Sequence, residues 1–259
     1  MDNKIKIIGI SLVKNEDIYI AQSLANIIDF CDKIIVYDNG STDDTIKIVN
    51  KYVDKYPYKI KLEYISNILE SQILLNRFVS KDFWIFRVDG DELYDVKGLS
   101  VLREKILTGE YQKYWKLRGY FFHVISYQNG RAVGYMAPPS KDPNKLINFS
   151  LVKSWKPDGE HEMCMGGKIK FIGNKYSYKN PPPKKYLYKK SKWNECLMRC
   201  CHMRMVKRSS KDSNFDKGIN IRVNLQDIHG KKNKNYRKKY QIGKRWNIDV
   251  SDFFKISKI

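Results

Sequence analysis

The order of apolar and polar positions predicts alternating strands and helices over the first third of the chain. Short apolar runs rich in β-branched and aromatic residues indicate strands at residues 7–13, 33–37, 59–65 and 83–88. Between these runs, apolar residues recur at helical spacing, which predicts helices at residues 17–30, 45–53 and 71–79. This β-α-β-α-β-α-β order implies a mainly parallel sheet with helices on both faces.

Polar clusters follow three of the predicted strands: Lys14–Glu16, Asp38–Ser41 and Asp89–Glu92. Sheets of this kind bind ligands at the carboxyl ends of their strands, so we expect the three clusters to meet at one edge. The acids around Gly90 repel one another unless a cation balances them. Carboxylates at a strand end suit Mg²⁺ or Mn²⁺, whose remaining positions go to water and phosphate oxygens. The alternative is a simple acidic turn between strands.

After residue 93 the periodicity becomes less regular. Residues 101–107 are typical of a helix, and the aromatic stretch 114–127 alternates as a strand does. Prolines interrupt the chain further on, and residues 230–259 resemble a basic helix. We therefore predict a single domain over residues 1–225, with halves at 1–95 and 96–225, followed by a basic C-terminal extension at 226–259.

The net charge of +21 is concentrated in the last third of the 259-residue chain. Residues 1–178 carry 26 basic and 22 acidic side chains, a net of +4, whereas residues 179–211 carry 11 and one, a net of +10. Residues 226–259 add ten basic and three acidic side chains, a net of +7. Such a surface attracts nucleic acid, anionic lipid or phosphorylated ligands. A solvated basic face in a lysine-rich protein is the alternative.

Other features narrow the class of protein. No apolar run reaches the roughly 20 residues of a membrane span, and the first strand lacks a signal-peptide cleavage site. We therefore expect a protein of the cytoplasm, or one attached peripherally to a membrane.

Five cysteines, an odd number, favour reduced thiols over a disulfide framework. The cluster at residues 196–202 lacks a standard zinc spacing.

Three segments carry a family resemblance: ISLVKNE at residues 10–16, VYDNGSTDDT at 36–45 and FRVDGDE at 86–92. In order and spacing they resemble glycosyltransferase family 2 and related nucleotide-sugar transferases of the GT-A fold. The resemblance covers residues 5–95. It implies a Rossmann-like mixed, mainly parallel sheet flanked by helices, with a nucleotide-sugar-binding half followed by an acceptor half.

The resemblance also implies roles for individual residues. The segment at 86–92 matches the family's DxD motif, so Asp91 and Asp89 are expected at a Mn²⁺ or Mg²⁺ ion. The late segment at 201–209 resembles a His-plus-basic element that returns to the metal and the phosphates, so His202 is expected as a further ligand, with a structural histidine as the alternative. Lys207 or Arg208 is expected to hold the diphosphate of a UDP-sugar. The residues expected around the rest of the donor nucleotide are Leu12, Val13, Asn15, Glu16, Asp38, Asn39 and Gly90.

Transfer with inversion requires a general base near the acceptor hydroxyl. A His-Glu element at residues 159–162 resembles part of the acceptor half of some family members, and Glu162 is the candidate base. Glu160 and Asp158 compete with it. Asp91 is expected to act in catalysis through the metal ion.

Two other classes of function remain open from the sequence. A nucleotidyltransferase also uses paired acids and a metal ion, but a Gly-rich basic loop is expected after its first strand, where this chain has Lys14–Glu16. A non-enzymatic binder of nucleic acid or anionic surfaces would use the basic last third. For the glycosyltransferase we expect a glycan or protein acceptor and no specific nucleic acid partner.

Overall fold

The computed structural model describes residues 5–67, 70–137, 145–156, 168–177, 179–213 and 245–254. The helices in these ranges are α1 (Ile20–Ile27), α2 (Thr45–Lys55), α3 (Glu70–Leu75) and α4 (Val96–Leu107). The strands are β1 (Lys6–Val13), β2 (Lys33–Asp38), β3 (Ile60–Tyr64), β4 (Phe83–Asp89), β5 (Glu92–Tyr94), β6 (Lys116–Arg118), β7 (Tyr120–Gln128), β8 (Arg131–Ala137), β9 (Leu146–Asn148), β10 (Val152–Lys156), β11 (Lys168–Phe171), β12 (Lys184–Tyr186), β13 (Arg199–His202) and β14 (Trp246–Asp249).

A central sheet joins seven of the described strands in the order β12-β6-β9-β4-β1-β2-β3. Strands β1 to β4 are all parallel, whereas β9 runs antiparallel to both β4 and β6. The four strands predicted from the apolar runs form the parallel part, and the three predicted helices lie between them in sequence. The predicted mixed, mainly parallel α/β fold is therefore confirmed.

Buried side chains of the central strands alternate between two cores. Phe86 faces the core that includes α1 and α4, where its ring centroid lies 4.9 Å from that of Phe30 and 4.8 Å from that of Tyr94. Ile85 faces the opposite core, together with Leu75 of α3. Burying each such side chain contributes about 1.5–3 kcal/mol. The continuous apolar runs of the sequence thus reflect strands that are covered on both faces.

The described helices are short and amphipathic. Helix α4 begins after Asp95, whose carboxylate accepts a hydrogen bond from Gly98 N at 3.2 Å and so satisfies a donor that the helix itself leaves unpaired. Its buried residues Leu99, Leu102 and Ile106 recur at helical spacing and face the core. Among the described helices, none combines the length and the apolar character needed to cross a membrane.

A second sheet of five described strands follows the order β14-β8-β7-β13-β5. Its strand β5 begins three residues after the end of β4, so the Asp89–Glu92 turn lies at the junction of the two sheets. Strand β13 runs antiparallel to β5, and this register sets His202 opposite Glu92. Pairing of β13 with β7 sets the same histidine beside His123. The second sheet therefore carries His202 to the acidic turn.

The described part of the C-terminal region is a strand and a 3-10 turn. The basic helix predicted for residues 230–259 is therefore wrong for residues 246–254. Strand β14 pairs with the edge of β8, and Phe253 is buried in the core of the second sheet. This pairing and burial outweigh local helix propensity. The predicted boundary between residues 225 and 226 stays a prediction.

Asn26 on α1 joins the C-terminal turn to the central fold. Its Nδ2 donates to the carbonyl oxygens of Tyr94 at 2.8 Å and Phe253 at 2.9 Å.

We expect Asn26→Ala to lower the free energy of unfolding by about 2 kcal/mol, because both buried carbonyls lose their donor. Urea unfolding measures this loss. Asn50→Ala, at an exposed position of α2, is the matched control, and equal destabilisation by both variants would contradict the role of Asn26.

Candidate functional site

The carboxyl ends of β1, β2 and β4 meet at one edge of the central sheet. In the parallel register, Val13 pairs with Asp38 and Leu12 pairs with Asp89. The three polar clusters that follow these strands therefore lie side by side. This edge is the usual ligand-binding edge of an open α/β sheet.

The loops after β1 and β2 are tied together by hydrogen bonds. Asn15 adopts a left-handed backbone with φ of 55°. Its side-chain oxygen accepts from Thr42 N at 2.7 Å, and its own backbone N donates to Ser41 Oγ at 3.0 Å. Glu16 N donates to Thr45 Oγ1 at 2.8 Å. These bonds fix the direction in which the Glu16 side chain leaves the loop.

Asp38 holds its own turn. Its carboxylate accepts from Gly40 N at 2.9 Å and from Ser41 N at 3.0 Å, and the residue is only 1% exposed. Gly40 has a φ of +76°, which a glycine adopts without strain. Asn39, the next residue, faces the pocket described below. The Asp38 carboxylate thus shapes the loop that presents Asn39.

Asp89 and Glu92 share a buried lysine. Lys145 Nζ lies 2.7 Å from Asp89 Oδ2 and 2.6 Å from Glu92 Oε1, with only 6% of the lysine side chain exposed. Burial raises the pKa of Glu92 to about 7, and Lys145 opposes that rise. Burial also acts to raise the pKa of Asp89, but Lys145 and Arg87 outweigh it and hold that pKa below its usual range. Lys145 therefore keeps Asp89 ionised.

Asp91 lies between an arginine and a histidine. Its Oδ2 accepts from Arg208 Nη1 at 3.0 Å, and its Oδ1 lies 3.5 Å from His202 Nε2. Arg208 Nη1 also donates to Glu16 Oε1 at 2.7 Å. Burial acts to raise the pKa of Asp91, but His202 and Arg208 outweigh it and hold the pKa well below its usual range. The carboxylate is therefore a charged group in a mostly enclosed position.

The imidazole of His202 is oriented by a second histidine. Its Nδ1 lies 3.1 Å from His123 Nδ1, so one ring donates to the other. Burial and the charge of His202 lower the pKa of His123 to about 3, which makes His123 neutral near pH 7. If a cation takes the place of the proton between Nε2 and Asp91, His202 donates from Nδ1 to His123 and its Nε2 would be a ligand of that cation. Such a partner on the far nitrogen is typical of metal-binding histidines.

The segment after β13 returns to the first two strand ends. Ser209 Oγ donates to Asp43 Oδ2 at 2.6 Å, and Ser210 N donates to Asp17 Oδ1 at 2.8 Å. These contacts join a late segment of the chain to the loops after β1 and β2. They also fix the position from which Arg208 reaches Glu16 and Asp91.

Together these elements enclose a pocket of about 470 Å³. Its lining residues are Leu12, Val13, Lys14, Glu16, Asn39, Asp89, Asp91, His202, Arg204 and Arg208.

Most of the predicted site residues thus meet in one place. Four predicted donor-site residues do not line the pocket: Asn15, Asp38, Gly90 and Lys207. The first two shape the loops, as described above. Glu162 lies outside the described residues, as do its competitors Glu160 and Asp158.

Gly90 makes the close approach of the acidic turn to β1 possible. A Cβ at this position would lie 2.9 Å from both Cβ and Cγ of Glu16 and 3.2 Å from Val13 Cγ1. Gly90 therefore has a packing role against Glu16, and its predicted place beside the donor nucleotide stays a prediction.

Gly90→Ala is expected to displace Glu16 and weaken its bond to Arg208. We expect a loss of about 1–3 kcal/mol in the free energy of unfolding from this overpacking. Urea unfolding provides the measurement. Gly109→Ala, where an added Cβ meets nothing within 4 Å but φ is +81°, gives for comparison the cost of backbone strain without overpacking. An unchanged Gly90→Ala protein would contradict the close packing.

Four residues of this site had no individual role predicted from the sequence. Lys14 and Arg204 line the pocket, Lys145 lies behind Asp89, and His123 lies behind His202. Lys14 belongs to the predicted cluster Lys14–Glu16, although no role was predicted for its side chain. Lys145 and His123 reach the site only through strand pairing, for which the sequence carries no local signal.

The donor atoms of the pocket fit a hard divalent cation. Among the described residues, no group of three or more His, Cys, Asp or Glu side chains gathers as a complete metal site. Asp91 Oδ1 and His202 Nε2 nevertheless face each other at 3.5 Å, a pair that a proton or a cation can bridge. Mg²⁺ and Mn²⁺ sites of transferases commonly take one or two protein ligands, with water and substrate phosphates supplying the rest. The residues present fit that pattern.

The parallel strands β1 to β4 and the acid-containing pocket at their carboxyl ends define an open α/β fold with a ligand-sized pocket at its usual binding edge. Residues 10–123 match the family model described as Glycosyl transferase family 2. This match confirms the predicted resemblance over that part of the chain. No curated protein matches the chain.

Solved structures give only distant similarities. S. aureus TarS 1-349 in complex with UDP is 19% identical with a TM-score of 0.39, and the match covers 62% of this chain and 52% of that one. M. tuberculosis glucosyl-3-phosphoglycerate synthase with Mn²⁺, UDP and glucosyl-3-phosphoglycerate is 20% identical with a TM-score of 0.33, covering 46% and 44%. Helicobacter pylori mannose-6-phosphate isomerase is 13% identical with a TM-score of 0.34, covering 55% and 60%. The chain thus spans about half the length of the TarS chain.

Proposed function

We propose that the chain transfers a sugar from a UDP-sugar to a hydroxyl group of a glycan or protein acceptor, with a divalent metal ion and with inversion at the anomeric carbon. The observation that carries this proposal is the meeting of Asp91, His202 and Arg208 in one pocket at the carboxyl edge of a parallel sheet. The pocket volume of about 470 Å³ suits a nucleotide-sized ligand. The choice of uridine rests on the family resemblance.

The nucleoside end of the donor would lie against the ends of β1 and β2. Leu12 and Val13 supply an apolar wall for the base, and Asn39 and Glu16 supply polar groups for the ribose. Asp89, held by Lys145 at 2.7 Å, offers its second oxygen to the ribose or to a metal-bound water. The loop hydrogen bonds through Asn15 and Asp38 keep this surface in place before the donor binds.

The diphosphate end would lie between the acids and the basic side chains. Asp91 and His202 would hold Mn²⁺ or Mg²⁺, which when bound neutralises charge that develops on the leaving diphosphate. Lys14, Arg204 and Arg208 line the same pocket and supply cationic donors to phosphate oxygens. Arg208 would then exchange its contacts with Glu16 and Asp91 for contacts with the donor.

The acceptor requires a base on the other side of the anomeric carbon. The acceptor oxygen forms the new bond to that carbon as the bond to the diphosphate oxygen breaks, and the hydroxyl proton passes to a carboxylate. We propose Glu162 as that carboxylate, with Glu160 and Asp158 as the competing candidates.

Glu162→Gln is then expected to abolish transfer and keep donor binding, whereas loss of donor binding would contradict this role.

The test is release of UDP from a panel of UDP-sugars with the full chain, with and without Mn²⁺. We expect turnover of at least one donor that falls at least about tenfold on removal of the metal by a chelator, because the leaving diphosphate loses its counter-charge. Turnover that is equal in chelator would contradict metal assistance. Absence of turnover for every UDP-sugar, together with turnover of another nucleotide-sugar, would contradict the choice of uridine.

A further inference from the structure

A second concave surface lies apart from the donor pocket. It has a volume of about 410 Å³, and its walls include Tyr114, Lys184, Lys185, Tyr186, Lys189 and Lys190. We name it the basic aromatic pocket. It combines strand β12, the 3-10 turn that follows it and the chain after α4. None of the roles proposed above uses these residues.

Cationic side chains lie over the tyrosine rings of this pocket. Lys189 Nζ lies 4.4 Å from the ring centroid of Tyr186, and Lys185 Nζ lies 5.8 Å from that of Tyr114. Both tyrosines and Lys185 are partly buried, so their positions are restricted by packing. The pocket therefore presents aromatic rings and positive charges together, with Tyr114, Lys185 and Tyr186 held by packing and Lys189 exposed.

The charge of the pocket selects an anion. Four lysines line it against a single acid, Glu195. The carboxylate of Glu195 already accepts from Lys192 N at 2.9 Å and caps its own turn. The surrounding segment, residues 179–211, carries 11 basic side chains and one acidic side chain. A ligand with carboxylate or phosphate groups is favoured at such a surface.

The size and the rings of the pocket favour a glycan over a nucleic acid. Nonspecific binding of single strands uses a groove that follows about 4–16 nucleotides, and a single concave surface of about 410 Å³ is too small to hold such a stretch. Aromatic rings that supply a flat apolar face with a polar rim suit the faces of sugar rings, and lysines beside them suit acidic substituents. The ligand class indicated is an anionic glycan.

A single strand connects this pocket to the donor pocket. Leu197 lines the basic aromatic pocket, and His202, five residues later, lines the donor pocket. Strand β13 carries most of this connection. At about 3.3–3.6 Å per extended residue, the two positions are at most about 18 Å apart along the chain. A chain-like ligand that binds in the basic aromatic pocket therefore has its free end at a raised local concentration near the donor pocket.

We propose that the basic aromatic pocket is a second, non-catalytic binding site for an anionic glycan, whose sugar rings carry carboxylate or phosphate groups. As a site for the acceptor chain it rests on the proposed glycosyl transfer, but binding at this pocket does not require catalysis. Tyr114 and Tyr186 contact the sugar rings, while Lys185 and Lys189 contact the acidic groups.

The test measures binding to the full chain in the absence of any donor. Isothermal titration uses three probes of equal length: galacturonic acid oligosaccharides, maltooligosaccharides esterified with phosphate, and neutral maltooligosaccharides. We expect at least one anionic probe to bind at least about tenfold more tightly than the neutral probe. The two anionic probes distinguish carboxylate from phosphate recognition. If neither anionic probe binds more tightly than the neutral one, the proposal is wrong.

Substitutions test whether the anionic probes bind at the basic aromatic pocket. Lys185→Gln with Lys189→Gln is expected to weaken the anionic probe at least about tenfold, and Tyr186→Leu about fivefold. Lys168→Gln with Lys170→Gln, at exposed positions of β11, removes the same charge elsewhere and is expected to leave binding within about twofold. Equal weakening by the two double variants would overturn the proposal. Circular dichroism verifies that each variant is folded.

Further measurements distinguish glycan binding at this pocket from nucleic-acid binding and from the proposed sugar transfer. Tighter binding of oligo(dT) than of the anionic glycans, with the same loss in the Lys185/Lys189 variant, would assign the pocket to nucleic acid and overturn the glycan assignment. Hydrolysis of the UDP-sugar without acceptor is expected to be unchanged in that variant. Glycan binding by a chain that turns over no nucleotide-sugar would support this pocket while contradicting the proposed transfer.

Discussion

Asp91→Asn is expected to lower UDP release by about a thousandfold, the loss typical when a charged group that stabilises the leaving group is removed. The structural reason is that Asp91 is the one acid in the described pocket that faces both Arg208, at 3.0 Å, and His202, at 3.5 Å. Asparagine keeps the size of the side chain and removes its charge. Steady-state kinetics of UDP release with Mn²⁺ measures the effect.

The matched control for this variant is Asp29→Asn, which removes a carboxylate at an exposed position next to α1. It is expected to leave UDP release unchanged. Unfolding in urea should show that the Asp91 variant remains folded, because Arg208 retains its bond to Glu16 at 2.7 Å. Undiminished turnover in folded Asp91→Asn would contradict the metal and diphosphate assignment.

Lys145→Met should produce the largest loss of stability among the variants considered. The substitution keeps an unbranched chain of similar length but leaves Asp89 and Glu92 without their shared cation, which lies within 2.7 Å of both. Removing one partner from a buried ion pair typically costs about 3–5 kcal/mol. We expect a loss of that size in the free energy of unfolding, measured in urea.

Lys105→Met gives the contrasting case for an exposed ion pair. Lys105 Nζ lies 2.7 Å from Glu110 Oε2, the same distance as in the buried pair, but these side chains are 38% and 48% exposed. Solvent screens such a pair, so little change in stability is expected. Similar unfolding curves for the Lys145 and Lys105 variants would show that the Asp89–Lys145–Glu92 cluster does not stabilise the fold.

The first half of the fold could be predicted because its pattern is local. Strands β1 to β4 are apolar runs of five to eight residues, and the helices between them bury residues at helical spacing. Strands β5, β9 and β12 have three residues each. Such short segments are strands only because adjacent strands pair with them. Three residues are too few for an alternating pattern that would predict this pairing. The error at residues 246–254 has the same origin.

In the candidate site, too, the residues next to predicted strands could be predicted, and those placed by long-range strand pairing could not. Glu16, Asp89 and Asp91 were predicted because each directly follows a recognisable strand. Lys145 was missed because it reaches Asp89 through β9, whose antiparallel pairing with β4 is a contact between distant parts of the chain. His123 was missed because its place beside His202 depends on the register of β7 and β13.

Binding of UDP to the full chain, titrated by calorimetry with Mn²⁺ and again with a chelator, is the decisive measurement for the proposed donor pocket. We expect one UDP per chain, bound at least about tenfold more weakly without the metal. We also expect weaker binding by Arg208→Gln, because the metal ion and Arg208 both hold the diphosphate. Absence of UDP binding in the presence of Mn²⁺, or binding that neither the chelator nor Arg208→Gln affects, would show that this pocket is not a metal-assisted UDP site.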